Sequence, residues 1–269
     1  MNPKLVATDL DGTIVRTDRS ISARTREALQ AIEASGRLVV FVSGRPPRWL
    51  NEIAEATGHT GIAICANGAL RYDLHTEALM GGEFLRPETM RGVVKRLREA
   101  VPGLLFAIEY GDQFGHEPAY HHHLDLYTEP LILSVEEMIE RPAAKLLARH
   151  WDIDADTLLA KGVAAAGDLA TFTHSMAESG GLLEISALGV TKATGLASFA
   201  REHGIAAEDV WVFGDMPNDL AMFDWAGHSV AVANAHESVL AAADEVTASN
   251  DEDGVAVVLE RLLASDGSA

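Results

Sequence analysis

The stretch "VATDLDGTIV", Val6 to Val15, sets two aspartates and a glycine between apolar flanks. Leu5 to Ala7 and Ile14 to Val15 are the residues of a chain burying itself, so Asp9 and Asp11 need a reason to be there. Side chains alternate faces on an extended chain, and two carboxylates two residues apart therefore point the same way. Like charges held together are costly unless something positive sits between them. The rest of the chain must supply that positive partner or bind it.

Short apolar runs alternate with amphipathic stretches on both sides of an unlike middle. Residues 4–10, 37–43 and 61–67 read as strands, with helices predicted at 22–35 and 46–57 between them. The pattern resumes with helices at 192–203, 219–226, 236–243 and 253–264 and strands at 209–215, 229–234 and 245–249. Nearly continuous apolar strands separated by helices predict an α/β fold, a Rossmann-like parallel sheet covered on both faces. Residues 83–188 break the alternation, with helices expected at 87–100 and 154–165 and strands at 104–110, 143–150, 171–176 and 182–188. They are read as an inserted α+β domain, which assigns 1–82 and 189–269 to the core and 83–188 to the insertion.

Composition narrows the function. The 269 residues are 48% hydrophobic, enough for an ordinary core, and Cys65 is the only cysteine, so neither an intrachain disulfide nor a thiolate metal cluster is available. Forty acidic against 21 basic residues give a formal charge of −19, with no basic patch, which argues against nucleic acid as a partner. No run approaches the roughly 18 apolar residues of a membrane span, and no secretory leader precedes the first strand, so no membrane partner and a cytoplasmic location are expected. The same negative field repels small anions. A site for a phosphate must carry its own cations and N–H donors.

In an open parallel sheet, function gathers beyond the carboxyl ends of the strands. Those ends carry Asp9 and Asp11, then Ser43, Gly44 and Arg45, then Asn67 and Gly68, then Gly214, Asp215, Asn218 and Asp219. One aspartate after a strand is an ordinary helix cap or turn residue. Several acids converging on one rim call for a cation, and Mg²⁺ binds through a few carboxylates plus waters. Ser43 and the Gly44 N–H are candidate donors to phosphate oxygens. Lys192 opens a helix, where a cation opposes the helix dipole, so its placement needs a local reason. A carboxylate nucleophile, a divalent cation and fixed donors together make a phosphoryl-transfer site.

At this point the chain resembles a known family. "DLDGT" at Asp9 to Thr13, "SGR" at Ser43 to Arg45, Lys192 in "GVTKATGL" and "GDMPND" at Gly214 to Asp219 are similar to the four motifs of the haloacid dehalogenase (HAD) superfamily, in order. "ANGA" at Ala66 to Ala69, "VANA" at Val232 to Ala235 and "SNDEDGVA" at Ser249 to Ala256 resemble its Cof-like subgroup, which inserts a large cap between the second and third motifs. The resemblance implies a Mg²⁺-dependent phosphatase acting on a small phosphorylated metabolite, sugar phosphates first. It implies Asp9 as the nucleophile that forms an aspartyl-phosphate, and Asp11 as the acid and then base that also lends its backbone carbonyl to the metal. Ser43, Gly44 and Lys192 would hold the phosphoryl oxygens, and Asn218 would contact phosphate or Lys192. Asp215 would ligate Mg²⁺ and Asp219 would support it through water. Ser43 stands where threonine is more usual in the subgroup, a change that keeps the hydroxyl.

Two other readings use the same residues. A sugar phosphomutase of this fold would return its phosphoryl group to a second hydroxyl. A non-catalytic phosphate-binding module would need neither an attacking carboxylate nor a general acid, so the set Asp9, Asp11, Lys192 and Asp215 argues against it. His116 and the run His121, His122, His123 invite a metal reading, although neighbours on a strand alternate and at most two of the run could serve one ion. Arg45 is open between a substrate contact and an ion-pair partner. Trp49, Trp151, Trp211 and Trp225 are read as core or interface residues. Nothing in the sequence specifies the oligomeric state.

Overall fold

The structure is a computed structural model that describes residues 2–120, 128–175 and 180–266. The first half of the core runs β1 (Leu5–Thr8), α1 (Ala23–Ala34), β2 (Leu38–Val42), α2 (Asn51–Thr57), β3 (Ile62–Cys65), β4 (Leu70–Asp73) and β5 (Ala78–Gly82). The middle of the chain adds α3 (Pro87–Ala100), β6 (Leu105–Glu109), β7 (Phe114–His116), β8 (Leu131–Ile132), α4 (Val135–Met138), β9 (Lys145–His150), α5 (Ala155–Ala166), β10 (Ala170–Thr173) and β11 (Gly181–Ala187). The second half of the core is α6 (Lys192–Glu202), β12 (Val210–Gly214), α7 (Leu220–Trp225), β13 (His228–Ala231), α8 (Glu237–Ala242), β14 (Glu245–Val246) and α9 (Gly254–Asp266).

The core sheet has the order β14-β13-β12-β1-β2-β3-β4-β5, parallel as far as β3. β1 lies at its centre between β12 and β2, and every residue from Leu5 to Thr8 is buried. That is why the strand reads as a nearly continuous apolar run, with Thr8 as its one hydroxyl residue. Helices cover both faces, α1 beside α2 and α9, and α6 beside α7. The second sheet, β10-β11-β9-β6-β7-β8, is antiparallel except where β7 meets β8. Its core joins α3 and α5 to one face through Val93, Leu97, Leu158, Leu183 and Ile185. This is the α/β core with an inserted α+β cap that the sequence predicts. Among the described residues no helix is long and apolar enough to cross a membrane.

The structure corrects several details. The sheet is not wholly parallel, because β3 turns through an antiparallel hairpin, β4 and β5, that the sequence reading left unassigned. Leu70 to Asp73 alternate buried and half-buried, the period-two signal of a strand, but β5 is exposed throughout and carries two glycines. The helix expected from residue 46 begins only at Asn51, after a 3₁₀ turn at Pro47–Trp49 imposed by Pro46 and Pro47. The strand expected over 245–249 has two residues, and β7, β8 and α4 were not anticipated. Trp211 and Trp225 pack on the core, whereas Trp151 is 42% exposed beneath the Arg149 guanidinium. His121, His122, His123 and Met176 lie outside the described residues.

Candidate active site

β1 delivers Asp9. Its N–H donates to the Phe213 carbonyl at 3.0 Å, continuing the ladder one residue past the strand, and its carboxylate is buried. The chain then coils back, with the N–H groups of Thr13, Ile14 and Val15 all donating to the Leu10 carbonyl. Alternation therefore holds only as far as Asp9. The Asp11 side chain, 56% exposed, leaves the strand and is gripped by Arg45, whose Nε donates to Asp11 Oδ2 at 2.7 Å and whose Nη2 donates to Oδ1. The two carboxylates part for this reason, Asp11 to Arg45, although the Asp11 charge still acts on Asp9. Arg45 is the ion-pair partner of Asp11 in this structure.

The positive partner of Asp9 is Lys192. Its Nζ, fully buried, donates at 2.6 Å to Asp9 Oδ1 and at 2.6 Å to Asp219 Oδ1. Lys192 is the first residue of α6, and these two carboxylates explain a cation at the wrong end of a helix. The other oxygen of Asp219 accepts the N–H groups of Asp215, at 3.0 Å, and Met216, at 3.1 Å, which closes the loop after β12 around it. Asp215 completes the group, with Thr13 Oγ1 donating to its Oδ1 at 3.1 Å. Oxygen atoms of Asp9, Asp215 and Asp219 lie within 4.8 Å of one another, all buried. The Asp11 carboxylate is not part of this cluster.

Three buried carboxylates face one ammonium. Burial pushes the Asp215 carboxyl up to about 9, helped by the charges of Asp9 and Asp219. Burial likewise raises Asp9, to about 7, against the opposing pull of Lys192. The Lys192 ammonium is held above its ordinary value, because Asp219 and Asp9 outweigh the cost of burying it. A cluster of this composition is short of positive charge, and a hard divalent cation with oxygen ligands is what it fits.

Around the cluster, the Ser43 hydroxyl oxygen accepts the Arg45 N–H at 3.0 Å at the end of β2. The Gly44 carbonyl accepts Lys145 Nζ, from the cap sheet, at 2.8 Å. Among the described residues Asn218 makes no hydrogen bond to Lys192; its Nδ2 donates to Asn67 Oδ1 at 3.1 Å. Asn67, with φ of +57°, sits in the turn after β3, where Gly68 at φ +99° has no room for a side chain against the Thr191 carbonyl. A Cβ at Gly12, where φ is +78°, would collide with Asp215 Oδ2, so a side chain there would be strained and would displace that carboxylate.

Other residues at the site had no role in the sequence reading. Asn234 Nδ2 donates to the Gly12 carbonyl at 2.8 Å, and Asn250 Nδ2 to the Val15 carbonyl at 3.0 Å, so the late "VANA" and "SNDEDGVA" segments brace the Asp9 to Val15 loop. Asn250 is tied in turn to Asn234 Oδ1 through its N–H. Lys145 and Glu184, an ion pair on the cap sheet, were not singled out at all. No local pattern marks them, since each shares its strand with other polar residues, Lys145 with Arg149 and His150 and Glu184 with Ser186. His116 is buried, with Nδ1 beside the Glu117 carbonyl, and belongs to no metal cluster among the described residues.

Comparison with known proteins agrees with this geometry. Residues 6–259 match the family described as haloacid dehalogenase-like hydrolase. The 5-amino-6-(5-phospho-D-ribitylamino)uracil phosphatase YitU of Bacillus subtilis is 29% identical over 97% of this chain and 98% of its own. The pyridoxal phosphate phosphatase YbhA of Escherichia coli is 25% identical over 95% and 97%. Among solved structures, SMU.1108c of Streptococcus mutans superposes with a TM-score of 0.85 at 22% identity, covering 98% of this chain and all of that one. The HAD subclass IIB sugar phosphatase BT4131 superposes at 0.80 and 23%, covering 96% and 98%.

Proposed function

The chain belongs to the haloacid dehalogenase-like hydrolases, and from that premise we propose that it is a Mg²⁺-dependent phosphatase of small phosphorylated metabolites, sugar and sugar-alcohol phosphates first, working through a phospho-Asp9 intermediate. The observation that carries the reading is the buried Asp9, Lys192, Asp219, Asp215 cluster, which pairs a nucleophile with a charge deficit. The relatives named for a ribityl phosphate and for pyridoxal phosphate support a small phosphate monoester as substrate.

In this reading Asp9, Asp215 and the Asp11 backbone carbonyl hold the metal, with Asp219 supporting it through water. Bound there, Mg²⁺ would neutralise the carboxylates and screen the repulsion between Asp9 and an incoming phosphate. Asp9 attacks phosphorus, the bond to the leaving oxygen breaks, and Asp11 gives that oxygen its proton. Asp11 then takes a proton from water as the water displaces Asp9 from phosphorus, which restores both residues. Arg45 holds the ionised Asp11 carboxylate by two hydrogen bonds, the form that serves as base; to act as the acid, Asp11 takes up a proton and gives up one of these bonds. Ser43, the Gly44 N–H, Lys192 and Asn218 are assigned to the phosphoryl oxygens. The cap, with residues 83–188 as its extent, covers the site and sets selectivity.

The direct test is inorganic phosphate release from a panel of sugar and polyol monophosphates, with Mg²⁺ and with EDTA. Release with Mg²⁺ and none with EDTA is expected; isomerised ester with no free phosphate would identify a mutase instead. A second readout is independent of turnover. Asp9 and Asp215 hold their protons more tightly folded than unfolded, so the stability they contribute is full below about pH 4 and is lost as pH rises toward 7 and 9. The metal-free protein should therefore lose Tm between pH 5 and pH 9. Mg²⁺ at about 100 times its Kd should restore about 2.7 kcal/mol, with tighter binding at higher pH as the carboxylates ionise. A flat Tm across that range, or no response to Mg²⁺, would remove the metal from this cluster.

A further inference from the structure

We propose that Asn67 is a positioning residue for phosphoryl transfer, one that holds Asn218 in register with the loop carrying Ser43 and Gly44; the inference rests on the phosphatase reading above. Asn67 sits in a strained turn. Ala66, Asn67 and Gly68 follow one another at φ of +50°, +57° and +99°, a region that glycine adopts freely, asparagine tolerates and alanine avoids. Both Ala66 and Asn67 are buried. Strain of this kind persists only where the surroundings over-determine it, and it gathers at functional sites.

The turn is surrounded by the loops assigned to the phosphate. The Ala66 N–H donates to the Arg45 carbonyl at 2.9 Å and the Asn67 N–H to the Ser43 carbonyl at 3.0 Å, which pins the loop 43–45 at both ends. Gly68 lies against the Thr191 carbonyl and Gly195, so the turn also abuts the start of α6, which carries Lys192. The side chain makes the remaining link. Asn67 Oδ1 accepts Asn218 Nδ2, which ties the loop after β12 to the loop after β2, and the Asn67 amide faces the Glu184 carboxylate of the cap. Among the described residues this is the one side-chain hydrogen bond of Asn218, and Asn67 makes none to Asp9, Asp215, Asp219 or Lys192. Its effect therefore passes through the groups it holds. The donors assigned to the equatorial oxygens come from separate loops, and misplacing one of them by about 1 Å costs about 100-fold in rate.

The test is N67G, which suits a backbone at φ +57° and removes only the side chain. With Mg²⁺, kcat should fall by about tenfold or more on both p-nitrophenyl phosphate and D-glucose 6-phosphate, with KM within about threefold of wild type. Orthovanadate, which adopts the five-coordinate geometry of the transfer, should bind at least about tenfold more weakly, while inhibition by inorganic phosphate changes by less than about threefold. The Tm of N67G should equal or exceed that of the wild type. In a double-mutant cycle, N67G/N218A should lose no more than about twofold beyond N218A alone, because one residue acts through the other. A kcat within threefold of wild type, a loss confined to one ester or to KM, or failure of N67G to fold by circular dichroism overturns the positioning role and leaves Asn67 a contact of the fold or of the leaving group. Absence of phosphate release from any ester by the wild type would instead overturn the phosphatase reading and this inference with it.

Discussion

Replacing Asp9 by asparagine is expected to lower phosphate release by about 10³-fold or more, about 4 kcal/mol of barrier, while the protein stays folded. The substitution keeps the shape that β1 presents and the backbone hydrogen bond to Phe213, but it removes the attacking charge. It also removes one of three carboxylates crowded around a single ammonium, so metal-free D9N should resist urea at pH 8 at least as well as the wild type. Loss of activity together with retained or increased stability is a signature that a merely structural aspartate would not give. Phosphate release within tenfold of wild type would take the nucleophile's role from Asp9.

Lys192→Met carries the opposite signature. The ammonium is the only side-chain cation in contact with Asp9 and Asp219 among the described residues, and it is buried. Without it two buried carboxylates face each other and Asp215 uncompensated, and breaking a buried pair in this way costs about 3–5 kcal/mol. Urea unfolding at pH 8 should show that loss, and activity should fall with it. Lowering the pH should recover part of the stability, because the carboxylates left behind can take up protons. A loss below about 1 kcal/mol at pH 8 would mean that Lys192 does not neutralise the cluster.

The core and its rim were legible because their signals are local. β1, β2 and β12 are buried on both faces and so read as apolar runs, and each stops at residues a strand has no use for, Asp9, Ser43 and Asp215. Lys192 was legible as a helix start with the wrong charge. What escaped were properties of three-dimensional placement rather than of spacing. The divergence of Asp11 from Asp9 arises from the coil closed by the Leu10 carbonyl, and no alternation rule reports where a strand ends. Asn234 and Asn250 act through backbone groups more than 200 residues away. Lys145 and Glu184 acquire their meaning only when the second sheet is laid over the first.

The position of β1 also bears on how the chain is made. β1 takes one neighbour, β2, from the first half of the core and the other, β12, from the second, and roughly 130 residues separate β5 from β12. At about 5–20 residues per second, a nascent chain carries an open, largely apolar β1 edge for on the order of ten seconds before its partner is synthesised. The cap strands, contiguous in the chain, can pair during that interval, while the central sheet cannot close. An unpaired apolar edge is a template for pairing with other chains. Aggregation during synthesis should therefore respond to substitutions that slow translation after β5, and to chaperones that shield Leu5–Thr8, far more than to changes within the cap.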